Sequence, residues 1–388
     1  MKNRFLTTFV GIFLAIVLVL SGVLAISLGV KNANAVVKYG NVTLDGGTVN
    51  YLISYYKLLY LEELNMSGIE AYDRDSFWAS EAEDGKSYGE HFKESVREYI
   101  ASVVAAADIY LTYATYTPDD KLSVALTCEE ILKYKAEGDV SVFNDHAEKH
   151  SFDYNDFQNA AALLYKAQRA AIVLYGEDGE NLENSPEECE KYFDTYSHVS
   201  LLFLRDETLI ETDEESNVSL RDMTDEERVE RISLAEEIRA KITAGTMTPE
   251  EFENYLEKSD GDPVANEKEY YFHESAEATS EFAVEFSEIV DASLEMNIGE
   301  YIEVDTSAGT CFIYKCENAE GAYADGDNPF FSDFYSDAAL YLYSEVLSEL
   351  AGEVNFKDAY GDIDALSIPM IEEFYIREFK TAKKLSLR

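Results

Sequence analysis

Few side chains in this 388-residue sequence are of the types that do chemistry: five His and four Cys, set among 77 Asp and Glu. His146 and His150, in His-Ala-Glu-Lys-His, have the spacing that places two imidazoles on one helix face. The motif is not His-Glu-x-x-His and brings no third ligand, so a solvated face is expected. Asp325-Gly326-Asp327-Asn328 lacks the twelve-residue pattern of a calcium loop and reads as a loop and helix cap. Cys128, Cys189, Cys311 and Cys316 admit three pairings. Cys311 and Cys316 stand an odd number of residues apart in a predicted strand, so they point to opposite faces and do not bond each other. Free, partly buried thiols are expected. The sequence has no phosphate loop, dinucleotide fingerprint or Gly-x-Ser-x-Gly, and it implies no cofactor and no metal. Two features remain. His198 heads a β-like run, and Phe282 and Phe286 stand four apart on a predicted helix. Taken alone, His198 is a strand-end imidazole bonded to a neighbour, and the two Phe are core residues.

Charge narrows the partners. A formal net charge of −46 disfavours nucleic acid, whose phosphates need Lys and Arg to neutralise them. It also disfavours a peripheral grip on anionic lipid, which needs basic clusters. Yet 46% of residues are hydrophobic and 13% aromatic, which is core material rather than a disordered acidic tail.

Lys2 and Arg4 precede an uncharged run from Phe5 to Val30, longer than the ~20 residues that cross a bilayer as a helix. Residues 1–35 therefore read as a transmembrane signal anchor, with the positive flank cytoplasmic and the bulk of the chain outside. Ala33-Asn34-Ala35 has the small-x-small form of a signal peptidase site, so secretion after cleavage at Ala35 is the alternative.

Residues 36–195 read as nearly all helical after a short strand at Val36–Tyr39. Val49, Leu52, Ile53 and Tyr56 recur at helical spacing, and so do Phe92, Val96, Tyr99, Ile100 and Val103. Helices are predicted at 117–138, 140–150 and 154–175. Ser185-Pro186-Glu187-Glu188 opens another, with Ser as N-cap. The texture changes at His198-Val199-Ser200-Leu201-Leu202-Phe203-Leu204, a buried strand. An acidic polar stretch follows to Met223. Thr224-Asp225-Glu226-Glu227 and Thr248-Pro249-Glu250-Glu251 then open two helices as capping boxes. Tyr270–Phe272 reads as a strand and 280–294 as a helix; strands follow at 301–304 and 310–315. This order over residues 196–320 is a compact α+β domain. Residues 321–388 return to helix, with Asn328-Pro329 capping one and Pro369 preceding a last helix at Met370–Ala382. If this segment packs on the first, one discontinuous helical domain carries an inserted α+β domain.

Several stretches resemble the extracytoplasmic parvulin-type foldases of the PrsA and SurA kind. His198-Val199-Ser200-Leu201-Leu202 is similar to the parvulin opening strand. Ala235-x-x-Ile238-x-x-x-Ile242-x-x-Gly245 with Phe252-x-x-Tyr255-Leu256-x-x-Ser259-Asp260 resembles the paired helices and the turn after them. Leu294-x-x-x-x-Gly299-Glu300-Tyr301 resembles the step before the last strands, and Gly309-Thr310-Cys311-Phe312-Ile313 lies where that family has Gly-Tyr-His-Ile-Ile. The resemblance implies a SurA-like helical chaperone domain built from both chain ends, with a peptidyl-prolyl isomerase domain inserted between them. It makes His198 the first of two facing histidines, with Cys311 at the place of the second. It assigns Phe282 and Phe286, with Tyr271 and Phe272, to the pocket that grips proline. Asn266-Glu267-Lys268-Glu269 stands where the family has Gly-Gly-Asp-Leu-Gly.

The resemblance thus implies a folding factor outside the cytoplasm whose partners are unfolded or newly translocated polypeptides. An isomerising foldase and a non-enzymatic holdase with a degenerate parvulin domain are both open; a cell-surface adaptor is a third reading. Tyr51, Tyr55, Tyr56 and Tyr60 wrap more than one helix face, which suits core packing and a surface for unfolded chains alike.

Overall fold

The computed structural model describes residues 35–82, 84–212, 218–260, 269–273, 287–325, 328–357 and 367–382. In chain order the elements begin with strands β1 (Val37–Tyr39) and β2 (Val42–Leu44) and helices α1 (Gly46–Met66), α2 (Asp75–Trp78), α3 (Tyr88–Tyr113) and α4 (Pro118–Ala136). Helices α5 (Val140–Ala147), α6 (Tyr154–Ala167), α7 (Ala170–Tyr175) and α8 (Pro186–Phe193) follow. Next come β3 (Ser197–Arg205), β4 (Thr208–Thr212), β5 (Val218–Asp222), α9 (Asp225–Thr243), α10 (Pro249–Leu256) and β6 (Glu269–Phe272). The chain continues with α11 (Ser287–Glu295), β7 (Tyr301–Asp305), β8 (Gly309–Lys315), α12 (Phe334–Gly352) and β9 (Asn355–Phe356). It is a mixed helix and sheet protein, mostly helical. The apolar run Phe5–Val30 lies outside the described residues; among those described, no helix is long and apolar enough to cross a membrane.

Two compact units make up the chain, one from residues up to Leu174 together with those from Tyr343, the other Tyr175–Leu342. In the first, helix starts are fixed locally. Asp45 accepts from the Thr48 N–H, and Ser87–Glu90, Thr117–Asp120 and Asp153–Asp156 form reciprocal capping boxes. Each satisfies backbone donors that the first turn leaves orphaned. Helix α1 is buried on more than one face through Tyr51, Leu52, Ile53 and Tyr55, because α3 and α6 both pack against it. A small sheet in the order β2-β1-β9 pairs the two chain ends, Val37 opposite Phe356.

The predicted helix Met370–Ala382 is absent. The segment runs through this unit as irregular chain with a turn at Glu373–Phe374, and Ile371, Phe374 and Ile376 are buried in the core. Its helical periodicity was a local preference, overridden because the helices it crosses hydrogen-bond its main chain.

The second unit is built on a four-stranded antiparallel sheet in the order β6-β3-β8-β7. Every residue of β3 is buried, since helices cover both faces. Val199, Leu201 and Phe203 face Ile289 of α11 together with Tyr270, Phe272, Cys311 and Ile313. Leu202 and Leu204 face Ile238 of α9 and Phe252, Tyr255 and Leu256 of α10, with Phe312. Strand β6 pairs β3 only as far as Ser200, so the outer half of that edge needs other partners. The turn after α10 supplies them. Ser259 Oγ accepts from Phe203 N at 3.0 Å, Asp260 N donates to Phe203 O at 2.7 Å, and Asp260 Oδ2 accepts from Arg205 N at 3.1 Å.

Sequence reasoning missed the β4–β5 hairpin, which pairs Thr208 with Asp222 and Thr212 with Val218 inside the acidic stretch read as a connection. Ser185 stands before α8 as expected, but its side chain makes no cap bond.

Candidate functional site

The sheet divides the four described candidates of the second unit two and two. His198 and Tyr271 are register partners on β3 and β6 and stack at 4.3 Å with an interplanar angle of 9°. His198 Nδ1 lies 2.8 Å from the Glu317 carbonyl oxygen, which assigns its proton to Nδ1. Nε2 is buried with no hydrogen bond, and a Glu269 carboxylate oxygen lies 3.6 Å away. Tyr271 also packs on Phe331, ring centroids 4.8 Å apart. The imidazole is thus held on both its face and its edge.

Cys311 and Phe272 lie on the opposite face. Cys311 pairs with Phe203 and Val304 in register, five positions along β3 from His198. At ~3.4 Å per residue that is roughly 17 Å, with the sheet between the side chains. Burial pushes the Cys311 thiol far above its ordinary value, so it is a core thiol rather than an ionisable group. It belongs to a core cluster with Leu201, Phe203, Ile313, Tyr270 and Phe272. The structure therefore does not bring His198 and Cys311 together. Phe282 and Phe286 lie outside the described residues.

The cysteine beside His198 is Cys316. Its N–H donates to the His198 carbonyl at 2.9 Å, and its sulfur lies 3.4 Å from Ser200 Oγ. Register places it there, because Val199 pairs with Lys315. Lys315 itself turns to the α11 face. Its Nζ lies 2.5 Å from Ser197 Oγ and 3.2 Å from Ser293 O, and burial lowers its pKa.

A second arrangement, in the first unit, was not anticipated. The irregular segment Ile368–Ala382 is held through its main chain. On α1, Tyr51 and Tyr55 donate their hydroxyls to Phe374 O at 2.9 Å and Ile376 O at 3.2 Å. On α4, Thr127 Oγ1 accepts from Lys380 N at 2.8 Å and Ser123 Oγ from Ala382 N at 3.1 Å. Both helices therefore use residues i and i+4 against chain positions j and j+2. The match is geometric: four helical residues rise about 6 Å, and two extended residues about 6.6–6.8 Å.

At the start of the segment, Lys57 Nζ donates to Ile368 O at 2.8 Å. Ser54 Oγ donates to Pro369 O, and His150 Nδ1 lies 3.0 Å from the same oxygen. Pro369 has no N–H to satisfy, so this clasp of donors leaves no orphan between the two carbonyls. Burial lowers the His150 pKa, keeping the ring neutral with a proton for that carbonyl. Lys57 is fully buried and pairs with Asp73 at 2.6 Å.

Side chains add anchors. Phe374 packs on Phe143 at 4.1 Å, Tyr375 on Tyr55 at 5.2 Å and Phe379 on Tyr165 at 5.2 Å. Beside the segment a groove of about 660 Å³ stays open, lined by Ile131, Tyr134 and Lys135 of α4 and by Tyr375, Arg377 and Phe379. The signal for this site was in the sequence as the Tyr51/Tyr55 pair. What could not be read was which segment those hydroxyls meet.

No protein-family profile matches the chain, and no curated protein matches it. Among solved structures it is similar to PrsA from Bacillus subtilis, with 12% identity over 73% of this chain and 92% of that one at a TM-score of 0.21. It is similar also to the peptidylprolyl isomerase PrsA from Bacillus cereus, with 14% identity over 74% and 95% at a TM-score of 0.24. The foldase protein PrsA from Lactococcus lactis gives 10% identity over 88% and 99% at a TM-score of 0.21.

Proposed function

We propose that this protein is a folding factor on the extracytoplasmic side of the membrane that binds extended segments of unfolded polypeptides, and that binding rather than isomerisation is its activity. One observation carries this reading: the helical unit holds the non-helical segment Ile368–Ala382, which belongs to no sheet, by hydroxyl groups that contact its main-chain atoms. A device that reads peptide groups accepts many sequences, as a holder of unfolded chains must.

The second unit supports the same choice. Lowering the barrier of about 18–20 kcal/mol to prolyl rotation calls for an apolar cup with hydrogen-bonding groups converging on one amide. His198 and Cys311 face away from each other across a sheet, and Cys311 is sealed in the core. The leading run Phe5–Val30 is the basis for an anchored or secreted location.

The test uses residues 36–388. Suppression of aggregation of a chemically unfolded client, with no acceleration of Xaa-Pro isomerisation in a protease-free peptide assay, is the expected result. Isomerisation that disappears in His198→Ala would replace this reading with the isomerising foldase. Failure in both assays would leave the cell-surface adaptor.

A further inference from the structure

Side chains of α1 and α4 grip one segment of this chain, Ile368–Ala382, by its main chain. Three features separate the segment Ile368–Ala382 from an ordinary core element. It is neither helix nor strand, and its main-chain polar groups are answered one at a time by side chains of α1 and α4. The contacting groups repeat at i and i+4 on both helices, which fits any extended backbone. Alongside the segment, an open groove lies between it and Ile131 and Tyr134 of α4, and Tyr134 is 73% exposed.

We propose that Ile368–Ala382 is an internal pseudo-ligand, exchanged for an extended apolar segment of a client polypeptide. This rests on the folding-factor reading and adds to it the site, the ligand class and the competition. The occupant states the preference: proline after an aliphatic residue at the Lys57–Ser54–His150 clasp, then inward apolar or aromatic side chains at the places of Ile371, Phe374 and Ile376. Self-occupancy keeps the apolar anchors covered when no client is present, which opposes self-association of an exposed apolar groove. The apparent affinity for a client is lowered by the fraction of time the internal segment is seated.

The experiment uses the full chain and a fluorescein-labelled peptide with the sequence of residues 367–382. Fluorescence polarisation compares the native chain with the variant Ile371→Ala/Phe374→Ala, whose own segment is loosened. The variant is expected to keep its helical circular dichroism and to bind the peptide at least tenfold tighter than the native chain does. A peptide with Ala at the Phe374 position should not bind. A variant that stays helical and gains no peptide binding overturns the proposal. So does one that loses its helicity, because the segment is then a core element. Hydrogen exchange on the native chain is a second measurement. The amides of Lys380 and Ala382 should exchange faster than those of central α3, and faster again with an unfolded client present; protection equal to α3 and unmoved by client overturns the proposal. The two readings fail separately. If the peptide binds but an unfolded client neither competes nor is held, exchange stands and the folding-factor reading falls. If client is held equally by both chains and the peptide never binds, the reverse holds.

Discussion

Lys57 joins three parts of the helical unit, and its replacement by Met tests how that unit is held together. Its side chain is 1% exposed, its Nζ lies 2.6 Å from Asp73 Oδ1 and 2.8 Å from Ile368 O, and it sits 5.2 Å over the Trp78 ring. Met keeps the length and the apolar stem but removes every polar contact. Breaking a buried pair by removing one partner costs about 3–5 kcal/mol. Asp73 is 22% exposed and keeps the Trp78 indole N–H at 2.9 Å and the Met370 N–H at 3.4 Å, so the low end applies. The orphaned Ile368 carbonyl adds to that. A loss of about 3–4 kcal/mol divided by a urea slope of about 3 kcal/mol/M moves the midpoint down by about 1 M. The one tryptophan, Trp78, is buried at the site, so its fluorescence follows this unit, with circular dichroism recorded in parallel. Asp73→Asn alone should cost a similar amount, and the double variant well under the sum, because it strands no charge. A Lys57→Met shift below about 0.3 M, or single effects that simply add, would refute the reasoning.

Three further outcomes follow from the same geometry. Burial acts to raise the Asp120 pKa, but hydrogen bonds from Tyr165, Thr117 and Tyr110 overcome it and hold the carboxyl at about 2. Its folded value is below the unfolded one of about 3.9, so its contribution is complete above pH ~4 and is lost as pH falls towards 2. Stability curves of native chain and Asp120→Asn should therefore be offset by a constant gap above pH ~4 and converge as the pH falls towards 2; a gap that widens on acidification would contradict the sign. In native alkylation at pH 8 read by mass spectrometry, half-exposed Cys316 should react first. Cys128, pushed by burial to about 12, Cys189, pushed to about 11, and Cys311 should stay silent until denaturant is added. Early labelling of Cys311 would count against its place in the core. In Gly309→Ala the new methyl would lie 2.1 Å from the Leu204 carbonyl oxygen, forcing β3 and β8 apart at a cost of about 2–3 kcal/mol. Gly299→Ala, at φ +82° with open space, should cost only about 1 kcal/mol in thermal or urea unfolding.

What the sequence disclosed was what is decided within one turn. Thr224 and Glu227 form the capping box their spacing predicts, and Thr248 caps α10. Both outcomes depend only on neighbours along the chain. Ser185 shows the limit, because its backbone at φ −128°, ψ 63° follows the preceding turn and its hydroxyl does not reach the helix N–H groups. The hairpin β4–β5 was hidden because its two short strands, Thr208–Thr212 and Val218–Asp222, lie in an acidic stretch that read as solvent-exposed loop. At the candidate site, alternation along β3 was visible but register was not. Without the pairing of Val199 with Lys315, nothing says that Cys316 neighbours His198 or that Cys311 sits opposite Phe203. The segment Met370–Ala382 failed for a different reason. Its apolar spacing suits a helix, and only contacts with α1 and α4, more than two hundred residues earlier, make the extended form better.

The acidity of the chain acquires a structural meaning from how the groove is lined. Among the described residues, carboxylates serve at helix starts, where Asp45, Glu90, Asp120, Asp153, Asp156 and Glu227 accept backbone N–H groups. A surface holding peptide carbonyls needs donors instead, and a carboxylate there would face a carbonyl oxygen with nothing to share. The helices supply Tyr51, Tyr55, Ser54 and Lys57 at those points. Burial raises both tyrosine pKa values, so their hydroxyls remain donors throughout the physiological range. Ser123 and Thr127 accept N–H groups without carrying charge, which avoids the desolvation penalty of a carboxylate in the same place. A strongly anionic protein can thus hold main-chain groups through uncharged hydroxyls at the points where α1 and α4 meet Phe374, Ile376, Lys380 and Ala382. At the Pro369 end His150, Lys57 and Asp73 also meet the main chain, and there the burial that lowers the His150 pKa keeps the ring in its neutral, donating form.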